Sequence, residues 1–237
     1  MLGVIVNVIT VIIGSSIGLL FKKGIPEKVS SAAMTGLGIC TLYIGISGSL
    51  CGENVLILIA SVVLGVIVGT LLDIDDAVNR LAQKVEAKFR KENSKVSIAE
   101  GIITATLLFC VGSMTVTGSV QAGINGDNSV LITKAMLDLI SSMMLASTLG
   151  IGVLLSAVAV LVIQGGLVLL AELISPLLST GAINEMTCAG SILIIMIGTN
   201  LMGITKIKVA DFLPAILLAP IIYNIVPLFE KLTGLFA

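Results

Sequence analysis

Apolar runs of about 20 residues recur along almost the whole chain, and that length is what an α-helix needs to cross the ~30 Å hydrocarbon core of a bilayer. No water reaches backbone N–H and C=O groups there, so each run must satisfy them internally, as a helix. About eight runs qualify, at roughly 2–21, 31–50, 54–72, 98–120, 130–149, 151–172, 186–203 and 210–229. Of the 237 residues 57% are hydrophobic and 11% charged, whereas soluble domains carry about a quarter charged residues. The expectation is an all-α, polytopic helical membrane protein of about eight transmembrane helices, with residues 1–237 forming one integral membrane domain. Ser129 to Ser175 is nearly continuous and about twice the length of one span. A tight reversal near Thr148-Leu-Gly150-Ile-Gly152 divides it; a mere kink there would leave about seven spans.

Lys and Arg in short loops mark the cytoplasmic side. Lys22, Lys23 and Lys28 follow the first span, Arg80, Lys84, Lys88, Arg90, Lys91 and Lys95 the third, and Lys206 and Lys208 the seventh. The loops around Glu53, Asp127 and Glu185 carry none. Eight spans place all the basic loops on one side, with both termini outside and the chain in the bacterial cytoplasmic (inner) membrane. The first run is followed by Lys22-Lys23 and not by a small-residue cleavage site, so it reads as a retained span. Residues 73–97 form the long hydrophilic stretch, in which Ile74, Val78, Leu81, Val85 and Phe89 recur at helical spacing. They predict an amphipathic cytoplasmic helix and linker, lying on anionic headgroups or packed on protein. Ser97 and Glu100 have capping-box spacing at the start of span four.

The same composition removes functions. Thirteen Lys and Arg against 14 Asp and Glu give a net charge of -1, so no basic excess exists for nucleic acid. Histidine is absent, which excludes Ser-His-Asp chemistry and imidazole proton relays. Cys40, Cys51, Cys110 and Cys188 lack metal or disulfide spacing and read as small buried hydrophobes. Gly14-Ser-Ser16-Ile-Gly18 and Gly45-Ile-Ser47-Gly48 match serine-hydrolase spellings without the base those need; a Ser–Lys pairing with Lys134 is the formal remainder. No enzyme, cofactor or metal is expected.

The chain also resembles itself. Gly65-Val-Ile-Val-Gly69, Cys110-Val-Gly112-Ser113 and Ile132-Thr-Lys134 with Asp138 are echoed by Gln164-Gly165-Gly166, Cys188-Ala-Gly190-Ser191 and Ile204-Thr-Lys206 with Asp211. The two copies start on opposite sides, the inverted three-span repeat of secondary transporters. A partial copy opens the chain with Gly14-Ser-Ser-Ile-Gly18 and Gly38-Ile-Cys40.

Asp138 falls about 12 Å into span five, near mid-membrane. Lys134 lies one turn away, and Ser141 and Ser142 continue the stripe at i+3 and i+4. An intramembrane ionisable pair is a functional candidate, holding a cation or proton on Asp138 with Lys134 competing; a static packing pair is the alternative. Thr115, Thr117 and Gln121 follow Gly112 in a segment that breaks or widens, and Ser191 and Asn200 occupy the corresponding span seven. These line the proposed path unless their hydroxyls bond back to their own helices. Asp127 and Asp211 precede spans five and eight as helix caps. Asn7, the Gly14/Gly18 pair and the Gly65/Gly69 pair suit close helix packing and a homo-oligomer.

Gly126-Asp-Asn-Ser129-Val-Leu131-Ile-Thr-Lys134-Ala-Met-Leu-Asp138, then Ser147-Thr-Leu-Gly150-Ile, resembles the YdfK/YqgA-like family of bacterial inner-membrane proteins, a domain-of-unknown-function family. Asn7 with Ile13-Gly14 and Ile17-Gly18, Gly203-Ile, and Leu213-Pro214-Ala-Ile-Leu-Leu-Ala extend the likeness over nearly the whole chain. The resemblance implies a polytopic architecture, includes Lys134 and Asp138 in the family pattern, and supplies no substrate. The expected function is a small transporter or channel in the lipid bilayer for an ion or small metabolite. The alternative is a non-transporting scaffold or signalling protein acting through the 73–97 helix.

Overall fold

The computed structural model describes residues 1–22, 27–80 and 98–233, and every regular element among them is helical. In chain order these are α1 (Leu2–Lys22), α2 (Glu27–Ser49), α3 (Val55–Leu71), α4 (Ile74–Arg80), α5 (Ile98–Cys110), α6 (Ser113–Ile124), α7 (Ser129–Leu149), α8 (Ile151–Leu169), α9 (Ala171–Ile174), α10 (Thr180–Leu201) and α11 (Pro214–Thr233). Short 3-10 turns at Ser175–Leu177 and Val209–Phe212 precede α10 and α11.

By length and composition, five segments are each long and apolar enough to span: Leu2–Phe21, Ser129–Leu149, Ile151–Leu169, Thr180–Leu201 and Val209–Val226. Counting the bent pairs α3–α4 (53°) and α5–α6 (61°) as single spans brings the number to seven. The expected count of eight is therefore five to seven on this measure. The second run, 31–50, is the one left out: it lies in α2, which opens on Glu27-Lys28 and keeps only Met34–Ser49 as a shorter apolar stretch. Most of the expected amphipathic helix, including Leu81, Val85, Phe89 and Ser97, lies outside the described residues; its start is α4, where Val78 packs on Ile98 and Ala99.

The division of the 129–175 run falls on one residue. Gly150, at φ 80 and ψ -149, separates α7 from α8, a backbone conformation that side chains with a Cβ rarely adopt. Span four breaks at Val111-Gly112, where Gly112 is extended at φ -105 and ψ 152. The break frees backbone groups, and Thr115 Oγ1 donates to Phe109 O at 3.0 Å to refill one of them. The matching motif in span seven does not break: α10 runs unbroken through Cys188-Ala-Gly190-Ser191. The two motifs meet side by side, with Gly190 facing Val111.

Glycines set the helix pairings. Gly3 lies against Leu131, Gly14 against the Leu139 carbonyl and Ser142, and Gly18 against the Met143 carbonyl and Ala146, so α1 and α7 run parallel in close contact. Gly38, Gly45 and Gly48 pack on Gly198, Ile195 and Ser191 in an antiparallel α2–α10 seam, and Gly65 and Gly69 seat α3 on Ala215 and Asp211. The core between them holds Val11, Ala105, Leu107, Phe109, Leu145, Val153, Leu193 and Ile197.

Caps tie the ends. Asp127 accepts from the Ser129 N–H at 2.9 Å, which holds its carboxyl below the usual carboxylate range. Asp211, expected to cap the last span, instead accepts from the Asp75 N–H at 2.9 Å and so caps α4. The left-handed Asp73 (φ 50) turns α4 toward it, and Lys208 lies 3.6 Å from Asp76. Residues 73–80 and 202–213 therefore share one end of the bundle. Gly152, beginning α8, touches Ile98 and Gly101 at that same end, while Gly3 N donates to Asn128 Oδ1 at the other. Asp127 and Lys206 thus sit at opposite ends of α7, about 30 Å apart.

Two measurements check this arrangement. Gly69→Ala places a Cβ on the Asp211 backbone and should lower stability by about 1–3 kcal/mol, read as a fall in Tm in detergent. Gly36→Ala, with nothing within 4 Å, should leave Tm unchanged or raise it. Single cysteines at Asp127 and Lys206 should label from opposite faces of sealed vesicles; labelling from one face contradicts the packing above.

Candidate polar centre in the membrane

Asp138 lies near the middle of α7 and is 5% exposed; Lys134, one turn before it, is 6% exposed. Their (i, i+4) spacing on a helix brings Lys134 Nζ to 2.5 Å from Asp138 Oδ2. The ammonium also stands 5.9 Å from the Phe109 ring centroid, within range of the attraction between a cation and an aromatic face. Two further elements complete the centre. Asn7 on α1 donates Nδ2 to Asp138 Oδ2 at 2.9 Å and to Gln164 Oε1 on α8 at 3.1 Å. Asn7 and Gln164 are both fully buried.

The order of the residues explains the assembly. The Gly14 and Gly18 contacts bring α1 against α7, and Asn7, two turns before Gly14, then faces Asp138. The Gly150 reversal brings α8 back alongside, so that Gln164 reaches the same level. Charge is balanced within the pair, and each carboxylate contact is a hydrogen bond, which is how a buried ion pair offsets its desolvation. One group is left over: Gln164 Nε2 has no partner among the described residues. The centre therefore holds an ammonium on a carboxylate, one amide carbonyl oxygen already engaged and one spare amide donor.

The other sequence candidates are distributed differently. Ser142 is buried, but its hydroxyl donates to Leu139 O at 3.0 Å and faces Gly14, while Ser141 is exposed. Thr115 is used at the α5–α6 break, Thr117 is half-buried and Gln121 exposed. Ser191 is buried against Gly48 in the α2–α10 seam. Asn200 clamps the following turn, donating to Ile207 O at 2.8 Å and accepting from Ile207 N at 2.9 Å and Thr205 Oγ1 at 2.7 Å. Lys134 and Asp138 come together with Asn7 and Gln164, and not with Ser191 or Asn200. The Gln164 contribution was visible in the sequence only as a lone amide in an otherwise apolar run. Glu185 is also no loop residue. It is 1% exposed inside α10, and its Oε1 accepts from the Glu53 and Asn54 N–H groups at 2.7 and 2.8 Å, joining α10 to the start of α3.

A bundle of apolar helices around a buried, internally neutralised polar centre defines the class as a polytopic helical membrane protein. The chain belongs to the DUF554 family of proteins of unknown function, whose profile matches residues 2–224. It is 34% identical over 233 residues to the uncharacterized membrane protein YdfK of Bacillus subtilis (strain 168), covering 97% of this chain and 98% of that one. It is 29% identical over 221 residues to the uncharacterized protein YqgA of Escherichia coli (strain K12), covering 92% and 94%. No solved structure matches it.

The geometry sets a double-mutant test. Lys134→Met strands the Asp138 carboxylate and should cost about 3–5 kcal/mol, whereas Lys134→Met with Asp138→Leu should restore most of that stability. Thermal unfolding of the purified protein in detergent reads both; equal losses in the single and double variants would contradict a coupled pair.

Proposed function

We propose that the protein is a small, non-enzymatic transporter or channel for an ion or small metabolite, and that Asp138 and Lys134 form its switchable element. The observation that carries this reading is the buried Lys134–Asp138 pair with Asn7 on the carboxylate and, bonded to Asn7 in turn, a Gln164 amide whose Nε2 has no partner among the described residues. Intramembrane ionisable groups facing a bundle interior characteristically mark ion pathways and proton relays. A proton or cation arriving at Asp138 weakens its hold on Lys134; the freed ammonium then needs another partner, and the packing around it must change. Those two states are the minimum that alternating access requires.

Two further features support the reading. The α5–α6 break leaves Phe109, the residue under Lys134, at the end of a half-helix, and transport sites are commonly built at such discontinuities. A cleft of about 350 Å³ at the basic end is lined by Asp75, Asn79, Glu100, Thr104, Lys206 and Lys208. Its Thr104 wall lies five residues before Phe109 on α5, about 8 Å along the helix axis from the ring that Lys134 faces. In this proposal the basic end is cytoplasmic in a bacterial inner membrane, the termini lie outside, and the two halves descend from an inverted repeat working in a homo-oligomer.

The test is flux in proteoliposomes. Wild type should conduct, Asp138→Asn should reduce flux by roughly two orders of magnitude, the lower end of what a positioned proton-transferring group contributes, and removal of residues 82–95 should leave it intact. Intact flux in Asp138→Asn removes Asp138 from the mechanism. Absence of flux in the wild type together with a partner crosslinked through 82–95 would favour the scaffold alternative.

A further inference from the structure

The polarity of the amides around Asp138 carries information about what the centre can accept. Lys134 Nζ and Asn7 Nδ2 both donate to Asp138 Oδ2, and Asn7 Nδ2 also donates to Gln164 Oε1. The carboxylate fixes this order. While Asp138 is ionised it only accepts, so the Asn7 atom facing it is the amide nitrogen; that nitrogen only donates, so the Gln164 atom facing it is the oxygen. The atom left over, Gln164 Nε2, is therefore a donor. Metal cations are held by several oxygen ligands. Here Gln164 Oε1 is already engaged, and Asn7 Oδ1 turns toward Thr10 Oγ1 at 3.5 Å.

Charge points the same way. A cation taken up on Asp138 in place of Lys134 would leave the ammonium uncompensated inside the bundle, where an unpaired charge is strongly destabilising. A proton on Asp138 frees the same ammonium, which then needs an anion. Asp138 is the carboxylate bonded to Lys134 among the described residues; the others lie toward the bundle ends or, for Glu185, against the start of α3. Facing the pair, α1 and α8 present the neutral amides of Asn7 and Gln164, and α6 carries no charged residue. From α5 come the Phe109 ring and the adjacent Cys110, a thiol that is mainly uncharged at neutral pH. No described side chain supplies the second anion, and one negative charge from outside the chain restores neutrality.

We propose that the substrate of this centre is a small monocarboxylate carried together with a proton: the proton sits on Asp138, and the substrate carboxylate replaces Asp138 on Lys134, with Gln164 Nε2 as a second donor. The exchange rests on the transport reading above; the sign of the substrate rests on the amides and the charge. In the closed state Asp138 is itself the carboxylate on Lys134, and Gln164 Nε2 is sealed from solvent. The substrate enters with the repacking that release of Lys134 brings. Loaded and empty centres then both carry no net charge, as a site inside a bilayer requires.

Asp138→Asn imitates the protonated carboxyl, leaves Lys134 without its anion and separates binding from flux. The probe is acetate, the simplest monocarboxylate, added to the purified full-length variant in detergent at pH 7 and constant ionic strength. At ten times its Kd, acetate should raise Tm by roughly 3–6 °C, saturably, while chloride and sulfate give no such shift. Lys134→Met in the same background should abolish the acetate effect. Gln164→Leu in that background should weaken acetate binding about fivefold, the worth of one hydrogen bond. Should Asp138→Asn not fold, Asp138→Ala frees Lys134 equally and takes the same measurements. No shift with acetate, an equal shift with chloride and sulfate, or a shift set by sodium against potassium overturns the proposal. Acetate binding to the variant without flux in the wild type leaves the carboxylate site standing and removes the transport reading. Flux lost in Asp138→Asn with no acetate shift does the reverse.

Discussion

The approach of α1 to α7 is the contact on which the centre of the molecule depends. In lipid, helices gain nothing from hiding apolar surface, so association rests on packing and on polar contacts between them. Gly14 and Gly18 remove the side chains that would otherwise hold α1 away from the Leu139 and Met143 carbonyls. At that spacing Asn7, whose amide is short, reaches Asp138 at 2.9 Å. A wider seam would leave the carboxylate with Lys134 alone and would leave Asn7 buried without a partner. Backbone proximity and polar satisfaction are therefore one constraint, and the Gly150 reversal extends it to α8 by returning Gln164 to the same level.

The break after Cys110 has a comparable organising role on the other side of α7. A continuous helix from Ile98 to Ile124 would run past the bundle. The bend of 61° instead turns α6 so that Gly123 meets Val168 of α8 and Ala171 of α9. Thr115 covers the Phe109 carbonyl freed by the bend. This leaves Phe109 facing Lys134 while its neighbours Cys110 and Val111 form part of the wall of an apolar cavity of about 640 Å³ that is also lined by α8, α10 and α11. One short stretch of chain thus separates the polar centre from an apolar cavity. Local changes at the break would be felt on both sides.

Much of this was legible in the sequence because lipid imposes simple rules. Length and hydropathy locate most helices, though α10 begins at Thr180, six residues before the expected span, and the 98–120 run is two helices; the Gly150 reversal follows from a run twice too long, and the (i, i+4) placement of Lys134 and Asp138 follows from helix geometry. What was not legible depends on which helix neighbours which. Asn7 read as a packing residue because nothing in α1 itself points to Asp138, 131 positions later. Asp211 read as the cap of the helix it precedes, yet its carboxylate caps α4 across the bundle end. Asn200 and Ser191 were equated with Thr115 and Thr117 through a similar motif. The local outcome differs because α10 continues through its glycine whereas span four breaks at Gly112.

The polar centre is hard to account for by stability alone. Replacing a buried ion pair by apolar side chains of similar volume is often neutral or stabilising, whereas removing one partner is costly. A chain with 57% hydrophobic residues has every means to fill the α1–α7–α8 junction with Leu and Val, as it does in the neighbouring cluster of Val4, Leu131 and Val168. It carries there instead a carboxylate, an ammonium and two amides, one of which keeps an unpaired donor. A static device for fixing helix register would be most economical with every donor used. A centre that exchanged partners, as proposed for Asp138, would need a spare one, and Gln164 Nε2 is an unused donor on the amide that Asn7 links to Asp138.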